Sequence, residues 1–157
     1  MGFIVKPAPR DEQRKRLYAA ERQVAALLRD KLPTIGEMQG FVDSILRSRW
    51  LQTYFAASVV APIRVIGGRQ RPATALNFLS TISMPKWSRT KFLVIHEVSH
   101  ILAARCYGEG VIAAHGPEYA TLFLELVLHF LGAEDALDLH EAFARCGVVH
   151  SYSRGEQ

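Results

Sequence analysis

The sequence predicts a single α+β domain in which a small, mostly antiparallel sheet packs on a central helix with further helices on either side. The first observation is the order of the patterns, because helical periodicity comes before and after a cluster of β-branched residues at positions 58–85. The second is size: 157 residues, 49% of them hydrophobic, suffice for one compact core but not for two full-sized domains.

The first part of this domain, residues 1–50, is predicted to be a helical pair. The apolar residues of its first stretch recur at three- and four-residue steps: Leu17, Ala20, Val24, Leu27 and Leu28. This spacing predicts one helix over 10–32 that ends before Pro33. Thr34 and Glu37 then form a capping-box pattern, which predicts a second helix to about Leu46.

Strands are predicted over residues 58–85, which begin the core region, 58–131. β-branched residues cluster up to Ile66, and Gly67 and Gly68 are typical of a turn after the first strand. A second extended run stretches from Ala73 to Met84 and stops at Pro85. The sheet is therefore small.

Three helices are predicted after the sheet. The first begins with Ser88 as its cap, runs to about Tyr107 and stops at Gly108. The second follows Pro117 to about Leu131, and the third, within region 133–147, covers about Glu134 to Arg145. The most apolar stretch, 119–133, is too short for a bilayer and is interrupted by charged and polar residues, so no membrane partner is expected.

The helix over 88–107 is apolar on every side except at its centre, where His96, Glu97 and His100 form an HExxH pattern. Histidines four residues apart project side by side on a helix and can bind one zinc ion. Glu97 projects beside them and can reach a water molecule on the metal without being a ligand. Burying these groups is costly unless a metal or another partner pairs them.

A catalytic zinc keeps three protein ligands and one open position, so a third ligand is required. The metzincin continuation is excluded, because Ala103 and Cys106 stand where it needs Gly and His. His115 and Glu118 remain as alternatives at this point. Both come shortly after the HExxH helix.

The segment His115-Gly116-Pro117-Glu118-Tyr119 resembles a motif of zincin metallopeptidases of the SprT-like branch. The segments 10–14 and 82–87, together with the HExxH, are also similar to a family of actinobacterial metallohydrolases whose substrate is unassigned. The resemblance implies a zincin-like (minimal gluzincin or SprT-like) fold. It also implies that His96, His100 and His115 are the zinc ligands and that Glu97 is the general base. Tyr119 matches an aromatic residue of the motif, and Glu118 stays the rival ligand or a neighbour of the ligands.

The expected function is zinc-dependent hydrolysis of peptide or amide bonds, with a peptide or protein as the substrate. The run from Leu79 to Met84 is expected to be an edge strand on which an extended peptide pairs. The candidates for an oxyanion-stabilising donor are Tyr107, Tyr119, His150 and Tyr152, and the sequence does not choose among them.

The alternative is a non-catalytic, zinc-stabilised module that regulates or binds a protein or nucleic acid. Residues 1–72 carry +7, from 13 basic and 6 acidic residues, and residues 86–157 carry −3, from 6 and 9. The basic half supports a nucleic-acid partner only weakly, because acidic residues are interleaved with the basic ones. The oligomeric state stays open.

The N-terminus shows no secretory or lipidation signal, so a cytoplasmic location is expected. Cys106 and Cys146 lie 40 positions apart in helical contexts and are interpreted as buried thiols rather than as a disulfide or metal knuckle. Whether the N-terminal helices cover the site as a lid is left open by the sequence.

Overall fold

The computed structural model of the chain describes residues 9–68, 74–76 and 80–151, and for 74–76 the backbone only. The predicted α+β class is confirmed, with six helices and a three-stranded sheet in the described part of the chain. The helices are α1 (Arg14–Glu21), α2 (Ile35–Leu46), α3 (Arg49–Tyr54), α4 (Lys91–Tyr107), α5 (Pro117–Leu131) and α6 (Ala133–Cys146). The strands are β1 (Arg64–Gly68), β2 (Thr74–Leu76) and β3 (Thr81–Pro85).

The sheet has the order β1-β3-β2, and its longer ladder is parallel. β1 pairs with β3 in parallel from Arg64 opposite Thr81 to Gly68 opposite Pro85, whereas the shorter β2 is antiparallel to β3. The prediction of a mostly antiparallel sheet is therefore wrong. The pairing direction was missed because alternation along one segment does not reveal which segment pairs with it. Gly67 and Gly68, expected in a turn, are the last two residues of β1.

β3 is the central strand, so the prediction of an edge strand is wrong for the part of 79–84 that the structure describes. Residues 81–83 of β3 are paired on both sides, to β1 and to β2, so this part of the strand is not available for pairing with a peptide. Leu79 lies outside the described residues.

The N-terminal helix is shorter than predicted. α1 ends at Glu21, Val24 is extended, and Ala25–Leu28 forms a separate 3-10 turn. The prediction of one helix over 10–32 is therefore wrong. The break was missed because the apolar residues keep a helical spacing across it, and Leu17 before the break and Val24 after α1 are both buried.

The second helix is confirmed, with its capping box. The Thr34 hydroxyl accepts a hydrogen bond from the Glu37 amide at 3.1 Å, and the Glu37 carboxylate accepts one from the Thr34 amide at 3.0 Å. The short helix α3, which follows with Ser48 as its cap, was not predicted.

α4 is the central helix and carries the HExxH pattern. It begins after Thr90, whose hydroxyl accepts a hydrogen bond from the Leu93 amide, and not after Ser88, which lies in a preceding 3-10 turn. It ends as predicted at Gly108, where φ is +95° and a side chain would meet Val111 at 2.9 Å. α4 packs against α5, α2 and the sheet, so it is buried on most sides.

Helices α5 and α6 are confirmed and complete the core. α6 packs on both α5 and α1, and it ends at Gly147 in the left-handed conformation. No helix among the described residues has the length and apolar character needed to cross a membrane. The two cysteines contradict the prediction of buried thiols: Cys106 is exposed and Cys146 is half-buried, because each lies in the last turn of its helix.

Candidate metal centre

Three histidines come together at the centre of the domain. His96 and His100 lie one turn apart on α4, and His115 lies just before α5. One nitrogen from each ring falls within 4.8 Å of the others, and the Nε2 atoms of His96 and His100 are 3.3 Å apart. His96 and His115 are buried, and His100 is half-buried. The three side chains can hold a metal ion.

Carboxylates from the N-terminal segment contact the outer nitrogens of two of these rings. The Nδ1 of His96 is hydrogen-bonded to the Glu21 carboxylate. The Nδ1 of His115 lies 2.8 Å from one oxygen of Asp11, and the backbone amide of His115 donates to the other at 3.1 Å. A carboxylate on Nδ1 fixes the ring and leaves Nε2 as the acceptor, which is the arrangement common behind metal-binding histidines.

Tyr119 supports the same cluster from α5. Its side chain is fully buried, and its hydroxyl donates a hydrogen bond to the backbone carbonyl of His96 at 3.0 Å. Its ring stacks on that of His100, with centroids 4.3 Å apart and planes 21° apart. Tyr119 therefore holds two of the histidines in place, and its hydroxyl is occupied by this bond.

Glu97 lies beside the histidines and is not part of their cluster of nitrogens. Its Oε1 is 3.9 Å from Nε2 of His96, and the residue is 5% exposed. Burial raises the pKa of Glu97 to about 7, with His96 opposing this rise and Glu21 adding to it. The carboxyl can thus gain or lose a proton near neutral pH.

The protonation of the histidines follows from burial and from their neighbours. Burial lowers the pKa of His100 well below its ordinary value, and His96 and His115 lower it further. Burial also lowers the pKa of His115, although Asp11 opposes it. For His96 burial acts in the same direction, but Glu21 outweighs it and the pKa is raised. Because metal ligands bind through unprotonated nitrogens, His100 and His115 are ready to bind at neutral pH.

Two grooves lead to the cluster. The first, of about 210 Å³, reaches His100 and is lined in part by Asp11, Ala103 and Gly108. The second, of about 240 Å³, is called here the Glu97-side groove and is lined by Arg14, Tyr18, Glu21, Trp87, Ser88, Leu93, His96 and Glu97. A small molecule or chain segment that enters the second groove meets Glu97 and His96 together.

The structure does not bring the other predicted candidates to the histidines. Glu118 lies in the first turn of α5 and lines a separate groove with Tyr107. His150, a candidate for the oxyanion-stabilising donor, is buried against the rings of Phe143 and His140. Tyr152 lies outside the described residues.

Three residues of the site were missed in the sequence: Asp11, Tyr18 and Glu21. A signal existed for Glu21, since it follows Leu17 by four positions and thus lies on the apolar stripe of α1. The hydroxyl of Tyr18 lies 3.3 Å from Nε2 of His115. Asp11 lies in the segment 10–14 of the resemblance, which did not assign it a role, and no pattern marked Tyr18.

Comparisons with protein-family models, with curated proteins and with solved structures found no match to this chain. The case for a function therefore depends on the site itself.

Proposed function

We propose that this protein is a zinc-dependent hydrolase of peptide or amide bonds. In this proposal His96, His100 and His115 hold the ion and Glu97 is the general base. The observation that carries it is the convergence of the three imidazoles on one point, with a buried carboxylate beside them and carboxylates behind two of them.

The donor set fits zinc. Imidazole nitrogen is a preferred zinc donor, and three protein ligands with a further open position are typical of catalytic sites. Glu21 and Asp11 compensate part of the charge of a divalent cation in a buried place. Calcium and magnesium prefer oxygen ligands, so the same site is poorly suited to them.

Each residue has a defined task in the proposed reaction. A zinc ion held by the three histidines would lower the pKa of a water molecule from about 9 toward 7 and would polarise a carbonyl group. Glu97 accepts the proton of the attacking water and returns it to the leaving amine. Glu21 and Asp11 hold the rings of His96 and His115 in orientation, and Tyr119 holds the backbone of α4 at His96.

The proposal includes a zincin-like fold of the SprT-like type. An HExxH helix that packs on a small sheet, followed by a histidine just before the next helix, is the arrangement that the resemblance implies for residues 96–119. Substrate entry along the Glu97-side groove is favoured, because both the proposed general base, Glu97, and one proposed ligand, His96, line that groove.

The proposal is tested with a Glu97→Gln variant, which keeps the size of the side chain but whose amide cannot act as a general base. Expected results are a zinc content of about one per chain, as in the unmodified protein, and a fall of roughly 100-fold or more in cleavage. The probes are unfolded casein and a mixed library of internally quenched peptides. Glu118→Gln is the matched control, because Glu118 lies in a separate groove. Equal cleavage by the Glu97→Gln variant and the unmodified protein would refute the role of Glu97.

A second candidate is a non-catalytic module in which zinc only stabilises the fold. It is favoured by the burial of the cluster, since His96 and His115 are 3% and 6% exposed. This candidate predicts that zinc removal lowers the free energy of unfolding and that none of the peptide probes is cleaved. A nucleic-acid partner would show binding that weakens steeply with salt.

A further inference from the structure

We propose that the phenol oxygen of Tyr18 is the fourth ligand of this metal centre in its resting state. The inference rests on the proposed metal site and concerns how the remaining position is filled. Tyr18 belongs to α1, far in sequence from the three histidines, and none of the zincin motifs includes it.

The distance between the Tyr18 hydroxyl and one of the histidines is that expected between two ligands of one ion. Two donors that each lie about 2.0–2.1 Å from a tetrahedral ion are about 3.3–3.4 Å from each other. The Nε2 atoms of His96 and His100 are 3.3 Å apart, and the hydroxyl of Tyr18 is 3.3 Å from Nε2 of His115. Because Nδ1 of His115 is bonded to Asp11, this Nε2 is the nitrogen that faces the site.

The ring of Tyr18 is held between the ligands. It is nearly parallel to the ring of His96, with centroids 5.8 Å apart, and it meets the ring of His115 edge-on at 5.1 Å. Leu17 and Ala20, its neighbours on α1, are fully buried in the core and fix the position of the helix. The hydroxyl is thus delivered to the site by a rigid element and not by a loop.

The charge balance also favours an anionic fourth ligand. Three neutral imidazoles place no negative charge on the ion itself, and the carboxylates of Glu21 and Asp11 compensate its two positive charges only in part, from behind the rings of His96 and His115. On binding, the O–H bond of Tyr18 breaks, its proton leaves to solvent and the oxygen lone pair binds the ion, with no change of oxidation state. Burial raises the pKa of the Tyr18 phenol, and the Arg14 guanidinium, 5.6 Å above the ring, opposes this rise. Loss of the proton therefore depends on the bound cation.

Occupation of this position by Tyr18 has a consequence for substrate access. If Tyr18 fills the fourth position, a substrate carbonyl that enters the Glu97-side groove takes this position after the Tyr18 side chain has turned away. Tyr18 also forms part of the wall of the Glu97-side groove, so the same movement opens the site on the side of the general base. Tyr18 then acts as a gate between a closed and an open site.

Copper(II) is the probe for this proposal, because a phenolate bound to copper(II) produces a visible charge-transfer band that three imidazoles alone do not. The protein is freed of metal and loaded with one copper per chain. The expected result is a band in the unmodified protein that is lost in Tyr18→Phe, with the copper content retained. Tyr54→Phe is the control, because Tyr54 is 74% exposed on α3. The absence of the band from the unmodified protein, or its survival in Tyr18→Phe, overturns the proposal.

A further variant keeps the test decisive if Tyr18→Phe does not fold. Tyr119 is the other tyrosine next to the histidines, and its hydroxyl is bonded to the His96 carbonyl. A band that survives in Tyr119→Phe supports Tyr18 as the ligand, and a band lost there with copper retained overturns it. The hydrolase proposal fails separately: a Tyr18-dependent band without Glu97-dependent cleavage would refute the hydrolase and leave the Tyr18 ligand in place.

Discussion

The carboxylate of Glu21 is predicted to set the metal affinity of the site through His96. Glu21 is 4% exposed, and its carboxylate is bonded to Nδ1 of His96, a nitrogen that points away from the cluster. Glu21→Gln keeps the size of the side chain and removes its charge. The ring then loses the anionic partner that fixes its orientation and makes its other nitrogen more basic.

The expected loss in affinity is 10- to 100-fold, which corresponds to about 1.4–2.7 kcal/mol. Asp11→Asn acts on His115 in the same way, but the Asp11 side chain is 27% exposed and water screens part of its charge. Asp11→Asn is therefore expected to lower the metal affinity by about 10-fold, at the lower end of this range. Glu21→Gln is expected to weaken metal binding more than Asp11→Asn does.

The affinities are measured by competition with a chromophoric zinc chelator at fixed pH and salt. Glu12→Gln is the matched control, since it removes the same charge from an exposed position next to Asp11, and it is expected to change the affinity less than twofold. Urea unfolding with and without zinc gives a second reading, because the stabilisation by a ligand falls as its affinity falls. An affinity of Glu21→Gln equal to that of Glu12→Gln would refute the reasoning.

Three further predictions concern the scaffold. Thr34→Ala removes the side-chain cap of α2 and is expected to lower the free energy of unfolding by about 1 kcal/mol in urea titrations, whereas Thr53→Ala, at an exposed site, should not. Arg105→Lys is expected to lower the free energy of unfolding by roughly 2–4 kcal/mol. The guanidinium donates hydrogen bonds to three backbone carbonyls and to the Ser80 hydroxyl, and an ammonium group cannot reach all four acceptors at once. An unchanged midpoint of urea unfolding would contradict this prediction. Removal of metal with a chelator is expected to speed tryptic cleavage after the exposed residues 14–16, because metal binding and the docking of α1 stabilise each other. A small peptide substrate controls for the protease, and equal cleavage rates with and without metal would count against this coupling.

The local part of the site could be predicted from the sequence. The four-residue spacing of His96 and His100 determines their common direction on a helix, and the structure brings them together with His115 as expected. Helix ends were predictable where the chemistry is local, as at the capping box of Thr34 and at Gly108. These features depend on neighbours within a few residues.

The remaining features depend on contacts between distant segments. Glu21 and His96 are 75 positions apart, and Asp11 and His115 are 104 apart, so no local pattern pairs them. The same reason explains why the sheet was predicted incorrectly. The parallel pairing of β1 with β3 depends on which segments meet, and the alternation of residues within a strand is the same for parallel and antiparallel pairing.

The contacts of α1 argue against a loosely attached lid. The side chain of Gln13 exchanges two hydrogen bonds with the backbone of Val149, at 3.0 and 2.9 Å, and Leu17 is fully buried. Opening the site by moving α1 as a whole would break these bonds and expose core residues. Turning the Tyr18 side chain breaks only the contacts of that residue, which are the 3.3 Å contact with His115 and the ring contacts with His96, His115 and Arg14. Asp11 and Glu21 belong to this anchored segment, so deleting the segment would also remove the carboxylates bonded to His115 and His96. We therefore expect the deletion to weaken metal binding, and not to make the metal more accessible to substrate.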